Sequence, residues 1–321
     1  MKYGIVILLK SQYDLNELLK ALSLTRATYY DRLKRDKKPD KYVEVKAFIK
    51  KCFYDSKEIY GYRRIHDEPD KVGLHYAEET IRRLMCDMGL KCVIYSKHTS
   101  KYHSYKVSVG ITAPNILEQK LVATQPLTVL HTDVTQVRLY NGEWGYISLI
   151  TDEASREVRV TIVSISPNKA SIQASLDELE HHLKSSIQPI LHPNQDWQYQ
   201  MTDYQQRLQD MNITQSMPRK GNCHDNAPIE SFFNLLKREY LNRYQINTLE
   251  NLRELVNGYI DWFNNVKTSR NKNGLYPVFH RGQAWLINLK SKLSKFSVAP
   301  QLGSRHFRWE IITLTLSNLV K

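Results

Sequence analysis

The stretch "LTVLHTDVTQVRLY", residues 127–140, is where the sequence changes from a helical to a strand-like pattern. Its apolar and polar residues alternate and many are β-branched, which is typical of a β-strand. The turn "NGE" at 141–143 and the apolar stretch "WGYISLITD" at 144–152 follow, so the sequence predicts two strands joined by a hairpin. Asp133 lies in the middle of the first strand, where a buried carboxylate is costly unless a cation meets it.

The segments that follow predict the rest of a mixed sheet. A third, a fourth and a fifth strand are predicted at 156–164, 187–191 and 213–218. Amphipathic helices separate these strands, and a long helix begins near Asn226. The order β-β-β-α-β-α-β-α therefore predicts an α/β fold, with a mixed five-stranded sheet and helices on both of its faces.

The first 98 residues have a helical pattern instead. "YDLNELLKALSLTRATYYDRLKRDKK", residues 13–38, contains two amphipathic segments separated by a tight turn, as in a helix-turn-helix DNA-binding region. The alternative is an ordinary helical hairpin whose charges are only solvated. The second segment carries the basic side chains that are candidates for DNA contact: Arg26, Arg32, Lys34 and Arg35.

These patterns divide the chain into five predicted parts. They are an all-α helix-turn-helix region (1–40), a helical connector module (41–98), a linker (99–124), an α/β core (125–285) and a C-terminal tail (286–321).

Composition restricts the class of partner. The chain has 321 residues and a formal net charge of +13, from 46 Lys and Arg against 33 Asp and Glu, which favours a polyanion such as nucleic acid. Its four cysteines form no C-x-x-C pair, so we expect free thiols in a reducing cytoplasm. The apolar run at 5–9 is too short to span a bilayer, and we expect no membrane partner.

Three positions of the core predict a metal site. Asp133 lies in the first strand, position 194 at the end of the fourth strand, and Glu230 in the first turn of the long helix. Oxygen ligands from these elements would converge on hard divalent cations such as Mg²⁺. Two such ions about 4 Å apart can activate a nucleophile and stabilise the leaving oxygen in phosphoryl transfer. The alternative for any single acid is a structural ion pair or a helix cap.

Longer motifs give the chain a resemblance to transposases of bacterial insertion sequences, of the type encoded by a second reading frame. The resemblance extends from about residue 10 to about residue 285 and includes "YGYRRIH", "HTDVT", "DWQYQ" and "SMPRKGNCHDNAPIESFFNLLKRE". The catalytic domain of these proteins is a ribonuclease-H-like fold related to retroviral integrases. Their catalytic set is Asp, Asp and Glu, with 35 residues between the last two. The same 35 residues (195–229) separate position 194 from Glu230.

The resemblance implies DNA transposition, in which DNA is cleaved at element ends and the 3′-hydroxyl is joined to target DNA. It implies Mg²⁺ or Mn²⁺ as cofactor, with two ions in an active member, and Asp133, Asn194 and Glu230 as catalytic residues and metal ligands. Arg219 and Lys220 become candidates for DNA phosphate contacts. The resemblance also implies a homo-oligomer on DNA, and it leaves open a contribution from the product of an upstream reading frame.

The sequence departs from the family pattern at position 194. Asn194 stands where the family has its second catalytic Asp. An amide oxygen can bind Mg²⁺, but the amide lacks the negative charge, and its NH₂ group is a donor where acceptors are needed. Asp196 is not expected to replace the lost acid, since an extended chain would carry it about 6–7 Å further on.

We therefore expect a transposase with impaired catalysis. The alternative is a catalytically inactive DNA-binding remnant that acts as a repressor or competitor of an active relative. A nuclease of the same fold acting on RNA–DNA hybrids is a third reading, against which the helix-turn-helix pattern argues.

Overall fold

The computed structural model describes residues 2–36, 38–70, 75–94, 113–118, 123–183, 187–218, 226–269 and 274–296, with Gly73 and Lys272. Of 69–70 and 288–296 it describes the backbone alone. Most of the predicted linker and residues 297–321 of the predicted tail lie outside the described residues. The chain forms two compact units, 1–92 and 93–321, each of which has its own core.

The first unit begins with three short helices: α1 (Lys2–Leu9), α2 (Leu15–Ala21) and α3 (Arg26–Asp36). The carboxylate of Asp14 accepts a hydrogen bond from Asn16 N at 2.8 Å and so caps the start of α2. The hydroxyl of Thr25 accepts one from Thr28 N at 3.2 Å before α3. The predicted pair of helices around a tight turn is confirmed, while α1 was not predicted. Its Val6 is buried in a small apolar cluster with Leu18 of α2.

Three further helices complete this unit: α4 (Val43–Asp55), α5 (Tyr62–Asp70) and α6 (Glu78–Asp87). On α4 the buried residues Val45, Ile49 and Phe53 are spaced four apart, which places them on one face of the helix. Ile65 of α5 and Ile81 of α6 are also fully buried. An apolar stripe on α4 thus provides the core of the module at 41–98.

The second unit contains the predicted five-stranded mixed sheet. Its strands are β1 (Val129–Arg138), β2 (Trp144–Asp152), β3 (Val158–Ser164), β4 (Ile190–Pro193) and β5 (Thr214–Gln215), in the order β3-β2-β1-β4-β5. The first three strands pair antiparallel, whereas β4 is parallel to β1 and β5 is parallel to β4. Parallel neighbours need a crossover connection, and α7 (Lys169–His182) and α8 (Thr202–Asp210) provide them.

Side chains alternate between the two faces of the sheet, so each strand contributes to two layers. On one face, Leu130, Ile150 and Leu191 are buried in a core that includes Leu176 of α7 and Leu208 of α8. On the other face lies α9 (Ala227–Glu239), whose Lys237 donates a hydrogen bond to Thr135 Oγ1 of β1 at 2.6 Å. Helices therefore cover both faces, as the sequence predicts.

Two more helices follow in this unit, α10 (Leu249–Asn265) and α11 (Pro277–Phe296). The buried side chain of Asn264 in α10 pairs with the outer edge of β3. Its Oδ1 accepts from Val158 N at 3.0 Å, and its Nδ2 donates to Val158 O at 2.9 Å. One amide thus satisfies two backbone groups of an edge strand.

Among the described residues, no helix is both long enough and apolar enough to cross a bilayer.

The pairing of Asn264 with β3 generates a stability prediction. Asn264→Ala should lower the free energy of unfolding by about 2–4 kcal/mol, because it leaves a buried backbone N–H and C=O of Val158 unpaired. Asn265→Ala is the matched control: this neighbouring side chain is exposed and bonds Asp261 within α10, so we expect a loss below about 0.5 kcal/mol. Urea unfolding measures both, and equal losses would contradict the role assigned to Asn264.

Candidate active site

The pairing of β4 with β1 brings the candidate site residues together. In this parallel register His192 lies opposite His131 and Pro193 opposite Thr132. The next residue, Asn194, therefore leaves β4 beside Asp133. Successive side chains alternate between the faces, so Asp133 lies on the same face as His131, and Asn194 on the same face as His192. This is the face that α9 covers.

Asn194 bonds directly to two carboxylates. Its Nδ2 donates to Asp133 Oδ1 at 2.6 Å and to Asp196 Oδ2 at 2.9 Å. Its Oδ1 accepts from the backbone N of Asp196 at 3.0 Å, which closes an Asx turn. Asp133 Oδ1 also accepts from Val134 N at 2.8 Å. A single side-chain amide therefore links the strand acid Asp133 to Asp196.

This Asx turn changes the expected position of Asp196. The chain between Asn194 and Asp196 is bent, not extended, and the carboxylate of Asp196 returns to hydrogen-bond distance of Asn194. The extended geometry assumed from the sequence is wrong here, because the amide of Asn194 itself turns the backbone. Asp196 is thus part of the site.

The electrostatics of the site are dominated by burial and by negative charge. Burial, together with the charges of Asp196 and Glu230, raises the pKa of Asp133 to about 8, although the hydrogen bond from Val134 N and the charge of Lys237 act in the opposite direction. Burial also raises the pKa of Asp196, opposed by the hydrogen bond from Asn194. Glu230, in the first turn of α9, is therefore close enough to act on Asp133 through its charge.

Lys237 is a site residue that the sequence reasoning missed. Burial lowers the pKa of its ammonium group, and the nearby negative charge of Asp133 partly offsets this. A signal was present in the sequence: Lys237 follows Glu230 by seven residues, which places both on the same face of α9.

A second missed feature is a buried chain of hydrogen bonds through His131. Its Nε2 donates to Glu153 Oε2 at 3.0 Å, and its Nδ1 lies 2.9 Å from Asn226 Oδ1. All three residues are buried. Glu153 directly follows β2 and Asn226 directly precedes α9, so the chain of bonds fixes the start of the helix that carries Glu230.

Four of the six predicted DNA-binding residues belong to the first unit. Arg26, Arg32, Lys34 and Arg35 are all exposed on α3. At about 100° per residue, Arg32 and Arg35 lie on one side of this helix, whereas Arg26 and Lys34 lie on another, so the four do not form a single stripe. Arg219 and Lys220 lie outside the described residues.

The arrangement around Asn194 tests whether these residues fit a divalent cation. The group between the carboxylates of Asp133 and Asp196 is an NH₂ donor, and the amide oxygen faces the backbone N–H of Asp196 instead of these carboxylates. Mg²⁺ requires oxygen acceptors that face it. Within the described ranges, no group of three or more His, Cys, Asp or Glu side chains has the arrangement of a metal site. As arranged, the residues do not fit the cation.

Comparison with known families gives the class of the fold. Two family models described as integrase core domains match residues 123–223 and 211–270. A model described as an HTH-like domain matches residues 40–98, the module that the sequence analysis interprets as a helical connector. The second unit is thus an integrase-type, ribonuclease-H-like core, and it is preceded by an HTH-like helical region.

The relatives then define the family. Over 278 residues the chain is 37% identical to the putative transposase InsK for insertion sequence element IS150 of Escherichia coli (strain K12), covering 87% of this chain and 97% of that protein. It is 30% identical over 290 residues to the probable transposase for insertion sequence element IS1353 of Shigella flexneri, covering 90% of this chain and 56% of that protein. The chain belongs to the insertion-sequence transposase family.

Among solved structures, the catalytic core domain of HTLV-2 integrase in complex with magnesium is similar at a TM-score of 0.40 and 15% identity, covering 49% of this chain and 97% of that chain. The family-model match to an integrase core implies dependence on a divalent metal in general. The amide at position 194 of this chain departs from that expectation.

The bond between His131 and Glu153 generates a second prediction. His131→Ala should lower the free energy of unfolding by about 3–5 kcal/mol near pH 7, because it leaves the buried carboxylate of Glu153 without this partner. Burial alone raises the pKa of Glu153, but hydrogen bonds from His131 and Ala123 N outweigh it and bring the pKa below 4.5. The stabilisation is therefore present above pH 4.5 and disappears as the pH falls through the lower folded value.

Urea unfolding at neutral and acidic pH measures this effect. The difference between wild type and His131→Ala should narrow in acid. His181→Ala, which removes an exposed histidine at the end of α7, is the control and should change stability by less than about 0.5 kcal/mol. A loss from His131→Ala that is small at neutral pH would contradict the assignment.

Proposed function

We propose that this chain acts in DNA transposition, binding the ends of an insertion element and target DNA. Its membership of the transposase family, its integrase-type core and its net charge of +13 support this function. The proposed reaction is cleavage at element ends followed by attack of the 3′-hydroxyl on target DNA. An assembly of several copies on DNA, with or without the product of an upstream reading frame, is part of the proposal.

The proposed catalytic residues are Asp133, Glu230 and the residue at position 194. The support is geometric: Asn194 bonds Asp133 directly, and the charge of Glu230 acts on the same carboxylate. In a member with a carboxylate at position 194, these side chains would bind two Mg²⁺ or Mn²⁺ ions, which supply nucleophile activation and leaving-group stabilisation. No step through a metal ion is proposed for the chain with Asn194.

We propose that catalysis is impaired in this chain, and one observation carries the proposal. Asn194 directs a hydrogen-bond donor at Asp133 Oδ1, 2.6 Å away, where a metal-binding site needs an acceptor and a negative charge. A loss of several orders of magnitude in rate corresponds to a barrier higher by about 4 kcal/mol or more. The same observation favours the second candidate function, a DNA-binding family member that occupies element ends and competes with an active relative.

DNA binding is proposed for the first unit. The exposed basic residues of α3 support a role for the region at 1–40, and the HTH-like match supports one for the module at 41–98. The region at 125–285 is proposed as the catalytic core. Arg219 and Lys220 remain proposed phosphate contacts.

A salt titration tests the role of α3. Arg32→Ala combined with Arg35→Ala removes two charges from one side of the helix, so the slope of log K for DNA binding against log salt concentration should fall by about 2. Arg26→Ala combined with Lys34→Ala removes the same charge from another side and identifies which side meets DNA. Unchanged slopes in both double variants would show that α3 does not bind the backbone of DNA.

An assay on labelled element ends tests the catalytic proposal. With Mg²⁺ or Mn²⁺, the wild type should shift the DNA without cleaving it, whereas Asn194→Asp should raise cleavage by about 100-fold or more, because it restores a charged acceptor beside Asp133. Asn212→Asp adds the same charge at an exposed position after α8 and should leave cleavage unchanged. Strong cleavage by the wild type that disappears in Asp196→Ala would contradict the proposal, since Asp196 would then be the working acid.

A further inference from the structure

The carboxylates of Asp133 and Asp196 approach each other across a single nitrogen atom. Asn194 Nδ2 lies 2.6 Å from the first and 2.9 Å from the second. Two carboxylates this close in a partly buried site repel each other unless a cation or a hydrogen-bond donor lies between them. Here the donor is part of the chain.

The amide of Asn194 uses both of its donors and one of its two acceptor positions in this arrangement. An asparagine NH₂ group has two hydrogens, which matches one bond to each carboxylate, and its oxygen accepts from Asp196 N. The site is therefore satisfied by its own side chains.

An aspartate at position 194 would reverse this balance. It has nearly the same shape as asparagine but offers no donor, so three neighbouring carboxylates (133, 194 and 196) would face each other, with the charge of Glu230 nearby. The positive charge of Lys237 on α9 acts on Asp133, but its ammonium group donates a hydrogen bond to Thr135 of β1. The repulsion in such a site would be relieved by a bound cation or by uptake of a proton.

We propose that Asn194 is an internal substitute for a cation: its amide holds Asp133 and Asp196 together, so the core of this protein is assembled without a divalent metal. The inference goes beyond the proposed function, because it concerns the stability of the free protein and holds whether or not the chain cleaves DNA.

Thermal unfolding of the full chain without DNA tests the inference. The melting temperature of the wild type should be the same in EDTA and in saturating MgCl₂ or MnCl₂, within about 1 °C. Asn194→Asp should melt about 5 °C or more lower in EDTA, because two bonds are lost and repulsion is gained. Saturating metal should recover a shift of similar size for this variant.

The exchanged pair Asp133→Asn with Asn194→Asp is the matched control. It keeps one amide and one carboxylate at these positions, with the direction of the hydrogen bond reversed. Its melting temperature in EDTA should recover in part, because an amide at 133 again donates to a carboxylate at 194 while the carboxylates at 194 and 196 still face each other. Its stabilisation by metal should be smaller than that of Asn194→Asp alone. If Asn194→Asp alone does not fold in EDTA, folding of the exchanged pair under the same conditions supports the inference.

Titration with Mn²⁺, followed by electron paramagnetic resonance, gives an independent reading. The wild type should show no tight Mn²⁺ site, and Asn194→Asp should show one. A wild type that is stabilised by metal by about 5 °C or more, or that binds Mn²⁺ tightly, would overturn the inference. So would an Asn194→Asp variant that is as stable as the wild type in EDTA, or an exchanged pair that is less stable in EDTA than Asn194→Asp alone. None of these readings uses DNA, so a failure of the proposed transposition activity would be seen separately.

Discussion

The parallel pairing of β1 with β4 is the constraint on which the rest of the candidate site depends. It sets His192 opposite His131, so that Asn194 leaves the sheet beside Asp133. A slip of one residue would move the whole of β4 to the opposite face, away from α9 and Glu230. The apolar layer on the far side, which includes Leu191, resists such a slip because it would be exposed by it. The packing of the core therefore determines which polar groups meet.

The side of the site that α9 forms, with Glu230, is positioned by a buried hydrogen-bond network and not by apolar packing. His131 connects Glu153, at the end of β2, to Asn226, at the start of α9. Glu230 lies one turn further along this helix, so its position relative to Asp133 is determined by buried polar groups. Such networks specify a position well when every member is satisfied and are costly when one is removed. Apolar packing thus places Asn194 beside Asp133, whereas buried hydrogen bonds place Glu230.

Much of this arrangement could be predicted from the sequence, for reasons that also explain what could not. The strands and helices of the core each have their own periodicity, which puts 131 with 133 and 192 with 194. That the two pairs share one face follows only from the register of β4 on β1. The position of Asp196 depends on an Asx turn formed by Asn194, and no periodicity reports such a turn. The bond from His131 to Asn226 joins residues 95 positions apart, and the sequence contains no local signal for it. For the HTH-like module at 40–98 the sequence predicts only a helical connector, because an apolar stripe like that on α4 occurs in any small helical bundle.

A cluster of carboxylates that serves phosphoryl transfer conflicts with the stability of the protein that contains it, since like charges in a partly buried site repel until a cation neutralises them. Asn194 removes this conflict by changing one charged oxygen to an NH₂ group, with almost no change in the shape of the side chain. The strand register, the network around His131 and the basic side chains of α3 are left as they are. The proposed binding to DNA depends on those basic side chains and on the net positive charge, neither of which involves residue 194 in the core. The proposed loss of cleavage and the proposed retention of DNA binding therefore rest on different groups of residues and are physically separable.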